Sequence, residues 1–346
     1  ADCGMAPSRR RLATTVLALW ARPVALLSDV ACENIHFAPL ADSAEASALE
    51  RRWKATLRTA LPRTFLSQET LRMHRDHVLG LERLGVPGIV IECGVAEGGS
   101  AILLASVKRR ARCLHLFDTF AGLPPPSDAD GPDVHERYRF ISGGKEKPSY
   151  YGYNGQLLAQ DRQEMADAGI DEGADHVFWH RGLFNTTVWP NAPVAYAHLD
   201  GDWYESVLVP LQRIAPCLAE GGMIVLDDAF HWSGARRALE RFLGIASAKL
   251  DALRAAPIAS NDDTRPGQAT ASHLTLELVV NVPVGCAGWP SGSGGAARFA
   301  SQTRTFQLFV RGTKKGSKAC LRRLPTRPVR TAELTYIHTN TTAADD

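Results

Sequence analysis

Short apolar runs that end on acidic residues form the strongest pattern in this chain. One run leads into Asp200 and Asp202, and a later run leads into Asp227 and Asp228. Continuous apolar runs of this length are typical of strands buried in a parallel sheet. Because ligands of open α/β sheets bind beyond the carboxyl ends of the strands, the pattern predicts an acidic site at one sheet edge.

These four carboxylates would repel one another unless a positive charge lies between them. Carboxylate oxygens are ligands that a hard divalent cation prefers, so the acidic strand ends predict a metal site. Aspartate after a strand is also common as a helix N-cap or turn residue. A purely structural role therefore stays open for each acid.

A glycine-rich turn lies in the stretch 88–107, between a predicted strand and a predicted helix. Glycine permits the sharp turn, and the amino end of the helix offers free N–H groups to an anion. The spacing departs from the dinucleotide fingerprint G-x-G-x-x-G, which disfavours a nicotinamide oxidoreductase. An acid at the strand end suits a cationic group such as an amino-acid ammonium. The candidate cofactor-binding residues here are Glu92, Gly94, Val95, Gly98 and Ser100.

The next predicted strand, 113–117, ends at Asp118, with Thr119 directly after it. An acid at the end of the second strand typically accepts hydrogen bonds from ribose hydroxyls, and both residues are candidates for cofactor binding. A role as N-cap or turn residue is the alternative for Asp118. Glycine turn, ribose acid and distal carboxylates together predict a nucleoside cofactor beside a metal ion.

Four segments carry a more specific signal in their order and spacing: ECGVAEGGS at 92–100, DTFAGLP at 118–124, LDGDWYES at 199–206 and GGMIVLDD at 221–228. They resemble the macrocin O-methyltransferase family over roughly residues 64–243. The resemblance implies an α/β, Rossmann-like class I methyltransferase fold. Its mostly parallel seven-stranded sheet would have helices on both faces and an N-terminal helical cap.

The resemblance also implies an activity, which is S-adenosylmethionine- and Mg²⁺-dependent methylation of a hydroxyl on a sugar or glycosylated natural product. It assigns the metal to Asp200, Asp227 and Asp228, and it leaves Asp202 as the general base. His231 is the next candidate base. Two alternatives stay open, namely a methyltransferase for a non-sugar hydroxyl and a non-catalytic nucleoside- or sugar-binding module that keeps the fold.

Composition changes this picture little. The chain has 346 residues, 45% of them hydrophobic and 22% charged, with a formal net charge of +2. These are ordinary globular values, and the net charge argues neither for nor against nucleic acid. The resemblance implies a small-molecule substrate and no nucleic-acid partner. A homo-oligomer stays open. The seven cysteines have no regular spacing, no His/Cys cluster suggests zinc, and Cys93 and Cys113 are predicted to be apolar fillers of strands.

The amino-terminal segment has its own pattern. Residues 5–28 contain four arginines and no acid, and the apolar run 12–21 is too short to span a membrane. A transit peptide, a signal peptide and a poorly ordered terminus all stay open, so the compartment is undetermined between cytoplasm and organelle. The predicted organisation has three parts: a leader or disordered segment at 1–42, a methyltransferase domain at 43–312 and a basic, disordered tail at 313–346. Within the domain we expect a helical cap at 43–84 and a core at 88–312. The core would contain a lid loop at 119–153 and a mobile loop at 284–303.

Several finer expectations concern this domain. Helices are predicted over 156–168, 203–218 and 234–243, and strands 274–282 and 306–310 are expected to form an antiparallel hairpin at the sheet edge. The predicted lid loop ends with three tyrosines that either line the substrate pocket or pack against the sheet edge. They are Tyr150, Tyr151 and Tyr153.

Overall fold

A computed structural model describes one unit of the chain, within Cys32–Asp346. The described residues are 32, 37–40, 43–145, 150–153, 155–229, 231–244 and 246–248, and the backbone of four strands between 275 and 339. The leader predicted at 1–42 lies outside this set except for residues 32 and 37–40. In the described part, no helix combines the length and apolar character that a membrane span needs.

Five parallel strands form the centre of the sheet, as the apolar runs predict. They lie in the order β3-β2-β1-β4-β5, and their central members are buried along their whole length. Buried runs of valine, isoleucine and leucine favour such two-sided strands. The strands are β1 (Ile89–Cys93), β2 (Leu114–Asp118), β3 (Val177–Arg181), β4 (Val194–Leu199) and β5 (Leu218–Leu226).

Helices cover both faces of these strands. Helices α1, α2, α3 and α5 pack against one face, while α6, α7 and α8 pack against the other. The predicted cap is therefore helical, with a serine N-cap on α2 whose hydroxyl accepts from the Thr70 N–H at 3.1 Å. The helices are α1 (Ser43–Ala60), α2 (Gln68–Leu84), α3 (Gly99–Val107), α4 (Pro132–Phe140), α5 (Leu157–Asp167), α6 (Phe184–Thr187), α7 (Tyr204–Ile214) and α8 (Ser233–Leu243).

The far side of the sheet differs from the expectation. The described residues form nine strands rather than seven, the last four being β6 (Thr275–Pro283), β7 (Phe299–Gln302), β8 (Thr305–Thr313) and β9 (Leu334–Thr339). The predicted antiparallel hairpin is wrong, because β7 reverses the chain between β6 and β8 and leaves those two strands parallel. Strand β7 also occupies the end of the predicted mobile loop, whose remainder lies outside the described residues, and β9 lies within the predicted tail.

Two proline positions account for further differences. Helix α7 ends at Ile214 rather than Leu218, and a 3₁₀ turn at Ala215–Cys217 leads directly into β5. Pro216 lacks the N–H that a continuing helix needs. Helix α4 lies inside the segment predicted to be an irregular lid, and it begins at Pro132, since proline suits the first turn of a helix.

The four cysteines whose side chains the structure describes are of two kinds. Cys93 and Cys217 are buried and form no disulfide, which agrees with a filler role for Cys93. The same prediction for Cys113 is wrong, because Cys113 forms a disulfide with Cys32. The two cysteines are 81 residues apart in sequence, so no local spacing indicated the pair. 

A buried ion pair fixes α2 to the start of the sheet. Arg112 donates from Nε to one Glu82 carboxylate oxygen at 2.6 Å and from a terminal nitrogen to the other at 2.9 Å. Arg112 also donates to the carbonyl oxygens of Val86 and Gly88, ahead of β1. Both charged side chains are almost completely buried, so each depends on the other for compensation.

We predict that Glu82→Gln lowers the free energy of unfolding by about 3–5 kcal/mol, because it leaves the buried guanidinium without its counter-charge. Glu50→Gln is the matched control, since its partner Lys54 is 66% exposed, and its effect should stay below ~1 kcal/mol. Urea denaturation followed by circular dichroism measures both variants. Equal effects of the two substitutions would contradict the role of the Glu82–Arg112 pair.

Candidate active site

The acidic strand ends lie side by side, as predicted. The backbone N–H of Asp200 donates to the Cys93 carbonyl at 2.8 Å, and that of Asp227 donates to the Leu199 carbonyl at 2.9 Å. These bonds continue the parallel ladder one step beyond β1, β4 and β5. The sheet therefore sets the positions of both acidic pairs at a single edge.

Three of the four carboxyl groups form a tight cluster. Carboxylate oxygens of Asp200, Asp202 and Asp228 all lie within 4.8 Å of one another, and Asp227 lines the same cleft. Asp202 and Asp228 have left-handed backbone with φ of 60° and 45°. Such strained positions cluster at functional sites. The Trp232 indole N–H donates to Asp202 Oδ1 at 3.0 Å and fixes that side chain.

The electrostatics of the cluster favour a cation. Burial raises the pKa of Asp200 well above its ordinary value, the charge of Asp227 adds to the rise, and His198 opposes it. Burial and the charges of Asp227, Asp202 and Asp200 likewise raise the pKa of Asp228. Burial raises the pKa of Asp202, although its hydrogen bonds with Asp228 and Trp232 oppose the rise. A divalent cation would stabilise all of these carboxylates in the ionised form.

The glycine turn after β1 is shaped by the neighbouring strand. Gly94 has φ of 93°, and a Cβ there would lie 1.8 Å from the backbone oxygen of Asp200. Only glycine therefore fits at this position. Gly98, with φ of 83°, begins α3 in left-handed conformation. The glycines bring the turn against the acidic strand end, which places the two halves of the candidate site together.

Asp118 holds this turn. Its Oδ2 accepts from the N–H groups of Val95 and Ala96 at 2.8 and 3.2 Å, and its Oδ1 accepts from the Phe120 N–H at 2.7 Å. The Thr119 hydroxyl lies 3.3 Å from Oδ1. Burial raises the pKa of Asp118, while these hydrogen bonds oppose the rise. Contact with a ribose stays a prediction, and the observed role is to fix the turn.

Glu92 lies behind the cleft rather than in its wall. It is fully buried, and its Oε1 is 2.9 Å from Nδ1 of His198. Burial alone would lower the pKa of His198, but the hydrogen bond and charge of Glu92, with Asp200 and Asp227, raise it. The imidazole of this pair thus faces the acidic cluster, where its charge opposes the rise in the pKa of Asp200 while the charge of Glu92 adds to it. Binding of Glu92 to an ammonium group stays a prediction.

One cleft of about 630 Å³ unites these features. Of the predicted cofactor residues, Gly94, Asp118 and Thr119 line it, together with all four aspartates and His231. The other four candidates lie outside the lining of this cleft. They are Glu92, Val95, Gly98 and Ser100.

Several lining residues escaped the sequence patterns. Phe65 and Thr70 come from the segment around the start of α2, Arg137 from α4, and Trp203 and Trp232 from beside the acids. Only the tryptophans lie near a feature that the sequence pattern had marked. Trp203 directly follows Asp202, and Trp232 comes soon after Asp228. Of the three tyrosines, Tyr151 lines the cleft. The hydroxyl of Tyr153 donates to the Leu123 carbonyl oxygen at 3.4 Å. The side chain of Tyr150 lies outside the described residues.

The fold and the cleft define a class of protein. A parallel sheet of order 3-2-1-4-5 with an antiparallel strand beside β5, a glycine turn after β1 and an acid after β2 is the class I methyltransferase arrangement. The family model for macrocin O-methyltransferase (TylF) matches residues 18–252. The chain belongs to this family.

Curated relatives agree with the assignment. The 8-demethyl-8-(2,3-dimethoxy-α-L-rhamnosyl)-tetracenomycin-C 4′-O-methyltransferase of Streptomyces olivaceus is 34% identical over 42% of this chain and 54% of its own length. The mycinamicin III 3″-O-methyltransferase of Micromonospora griseorubida is 30% identical over 48% of this chain and 64% of its own length. The chain thus spans between about half and two thirds of these relatives. The solved structure of the O-methyltransferase NovP is 24% identical, with a TM-score of 0.43 over 55% of this chain and 75% of that one.

Asp161 is a buried acid that no sequence pattern indicated. It lies on α5 beside Gly98, is 0% exposed, and neither carboxylate oxygen has a hydrogen-bond partner among the described residues. Burial raises its pKa to about 8, and the charge of Asp118 adds to the rise while Arg63 opposes it. Asp161 is therefore largely protonated at neutral pH.

We predict that Asp161→Asn removes a pH-dependent loss of stability. The folded pKa of Asp161 is raised above the unfolded value, so its contribution is present below about pH 4 and is lost as pH rises through about 8. The free energy of unfolding of the variant, relative to the native chain, should therefore rise by up to about 4 kcal/mol between pH 5 and pH 8, at ~1.4 kcal/mol for each pH unit below the folded pKa. Urea denaturation at both pH values measures this difference. Asp167→Asn, on the exposed side of the same helix, is the control, and an identical pH response in both variants would refute the prediction.

Proposed function

We propose that this protein is an S-adenosylmethionine- and Mg²⁺-dependent O-methyltransferase that acts on a hydroxyl of a sugar or glycosylated natural product. The observation that carries the proposal is the single cleft in which the glycine turn and Asp118 face the aspartate cluster. Membership of the macrocin O-methyltransferase family supports the cofactor and the reaction. The names of two relatives support the acceptor class, since one is a 4′-O-methyltransferase of a rhamnosyl-tetracenomycin and the other a 3″-O-methyltransferase of mycinamicin III.

The aspartate cluster has the donor chemistry that Mg²⁺ requires. Carboxylate oxygens are hard ligands, and burial without a cation holds the pKa values of Asp200 and Asp228 high. Asp200, Asp227 and Asp228 would hold the ion, and Asp202 is near enough to contribute as well. When bound, the ion supplies Lewis acidity that lowers the pKa of an acceptor hydroxyl.

Asp202 is the proposed general base. Its Oδ1 is fixed by the Trp232 indole N–H, and the left-handed backbone turns the side chain into the cleft wall. A base held in this way need only accept the proton of a hydroxyl that is already acidified. Methyl transfer is an in-line displacement at the sulfonium methyl group, so alignment of oxygen, carbon and sulfur supplies much of the acceleration.

The cleft lining fits an acceptor with both polar and apolar parts. The acids contribute its polar lining, whereas Phe65, Tyr151, Leu183 and Phe184 contribute apolar surface. Phe65 and Leu183 are 58% and 46% exposed, so part of their surface is accessible to a ligand larger than one sugar ring. This arrangement supports a sugar carried on an apolar aglycone.

A direct experiment is to incubate the chain with S-adenosylmethionine, Mg²⁺ and a panel of glycosides and matched aglycones. Mass spectrometry should detect one added methyl group on a glycoside and none on its aglycone. Methylation of aglycones alone would favour the non-sugar alternative. Tight cofactor or sugar binding without turnover on any acceptor would favour the non-catalytic module.

We predict that chelation abolishes the reaction. EDTA should reduce methyl transfer to background, and added Mg²⁺ should restore it, because the clustered carboxylates hold the ion that acidifies the hydroxyl. Ca²⁺ should bind but support turnover poorly, since its looser coordination positions the hydroxyl less well. A radiometric methyl-transfer assay with each metal measures these rates. Full activity in EDTA would overturn the metal requirement.

We predict that substitutions of Asp202 and Asp227 lower the rate of methyl transfer for different reasons. Asp227→Asn weakens a ligand, so excess Mg²⁺ should partly restore its rate. Asp202→Asn removes a base, so kcat should fall by about 10²–10⁴ while cofactor affinity is kept, and added Mg²⁺ should not help. Steady-state kinetics over a Mg²⁺ series, with calorimetry of cofactor binding, separates the two. Rescue of Asp202→Asn by Mg²⁺ would make Asp202 a ligand and leave His231 as the next candidate base.

A further inference from the structure

A second group of metal-ligating side chains lies at the opposite end of β2 from Asp118. Cys32, Cys113 and His115 are 3%, 1% and 4% exposed. Their ligand atoms, two sulfurs and one ring nitrogen, all lie within 4.8 Å of one another. Cys113 and His115 are two residues apart in extended backbone, so their side chains lie on the same face of the sheet. The oxidised structure joins the two sulfurs as a disulfide.

The hydrogen bonding of His115 suits a metal ligand better than a core histidine whose two ring nitrogens both have partners. Its Nδ1 is 2.9 Å from Nε2 of His180, while its own Nε2 is buried without a hydrogen-bond partner among the described residues. An orphaned buried imidazole nitrogen calls for an explanation. Because Nδ1 faces His180, Nε2 is the ring nitrogen left to bind a metal ion.

We propose that Cys32, Cys113 and His115 form a zinc site in the reduced protein, and that the disulfide and the metal are alternative occupants of this position. Two thiolates and an imidazole are ligands that Zn²⁺ prefers. The contact between His115 and His180 supplies the support that metal-bound histidines usually have, since the nitrogen that does not bind metal donates its proton to a neighbour. A solvent molecule or a further ligand would complete the coordination.

Exchange of the disulfide for zinc takes two steps, reduction and metal binding. A dithiol reductant transfers two electrons and two protons to the Cys32–Cys113 bond, which breaks into two thiols while the reductant closes its own disulfide. Zinc binding then releases both thiol protons to solvent, and His115 stays neutral with its proton on Nδ1. Either state crosslinks Cys32 to β2. This crosslink of Cys32 would thus be present under oxidising and reducing conditions alike.

The ligand chemistry separates this site from the aspartate cluster. Carboxylates are hard and suit Mg²⁺, whereas thiolates select Zn²⁺ and its spectroscopic substitute Co²⁺. A thiolate-to-Co²⁺ charge-transfer band therefore reports the cysteine site alone, even when the acidic cleft also binds the ion. Excess Mg²⁺ in the buffer keeps that cleft occupied during the titration.

The experiment titrates Co²⁺ into the full chain, first oxidised and then reduced with a dithiol that is removed before metal is added. We expect no thiolate band in the oxidised chain and, in the reduced chain, one that Zn²⁺ abolishes. Cys32→Ser should remove the band, and His115→Gln should weaken Zn²⁺ binding at least ~10-fold. Cys217→Ser is the matched control, because Cys217 is buried like Cys32 and Cys113 but lies outside the disulfide, and it should leave the band unchanged.

A second measurement needs no variant. Peptide mapping after alkylation of the reduced chain should show that Zn²⁺ protects Cys32 and Cys113 but leaves the alkylation of Cys217 unchanged. Absence of a thiolate band in the reduced native chain would overturn the proposal. Protection of other cysteines instead of Cys32 and Cys113 would overturn it as well, and so would a band that survives Cys32→Ser.

Discussion

The close approach of parallel strand ends is the constraint on which the candidate site depends. Continuing the ladder beyond β4 and β5 brings four carboxyl groups to one edge, where burial makes their repulsion costly. The sheet imposes this arrangement because the strands themselves are buried on both faces and cannot slide apart. Strained backbone at Asp202 and Asp228, and the contact of Gly94 with the Asp200 carbonyl, follow from the same crowding.

A buried Glu92–His198 pair lies beneath this crowding. The two residues face each other in register on β1 and β4, and the charge of His198 opposes the rise in the pKa of Asp200. His74 of α2 meets His198 edge-to-face, with ring centroids 4.4 Å apart, and hydrogen-bonds with the Tyr196 hydroxyl. These contacts of His74 therefore connect cap helix α2 to β4, the strand that leads into Asp200. Helix α2 also supplies Thr70 to the cleft, so the same helix contacts both the support and the wall of the candidate site.

The features that could be predicted from the sequence are those with a signal within a few residues. Apolar runs that end on acids predicted the parallel strands and the position of the aspartates, because side-chain burial and strand direction are encoded within a few residues. Pairings between distant segments carry no such signal. The Cys32–Cys113 disulfide, the partnership of Glu92 with His198 and the burial of Asp161 all depend on register or packing between elements. The direction of β6 relative to β8 was missed for a similar reason, since the short strand β7 lies in a glycine-rich stretch without strand periodicity.

The hydrogen bond between Asp202 and Asp228 would link metal loading to the state of the proposed base. Two carboxyl groups bond directly only when they share a proton, and the raised pKa values of both favour that sharing without a cation. Ligands bind a metal in their deprotonated form, so occupation of the cluster would release this proton. Asp202 would then keep only the bond from Trp232 and become free to accept a proton from the acceptor hydroxyl. A separate base beside the acidic cluster would then not be needed, because Asp202 itself would be deprotonated once the cluster held the ion.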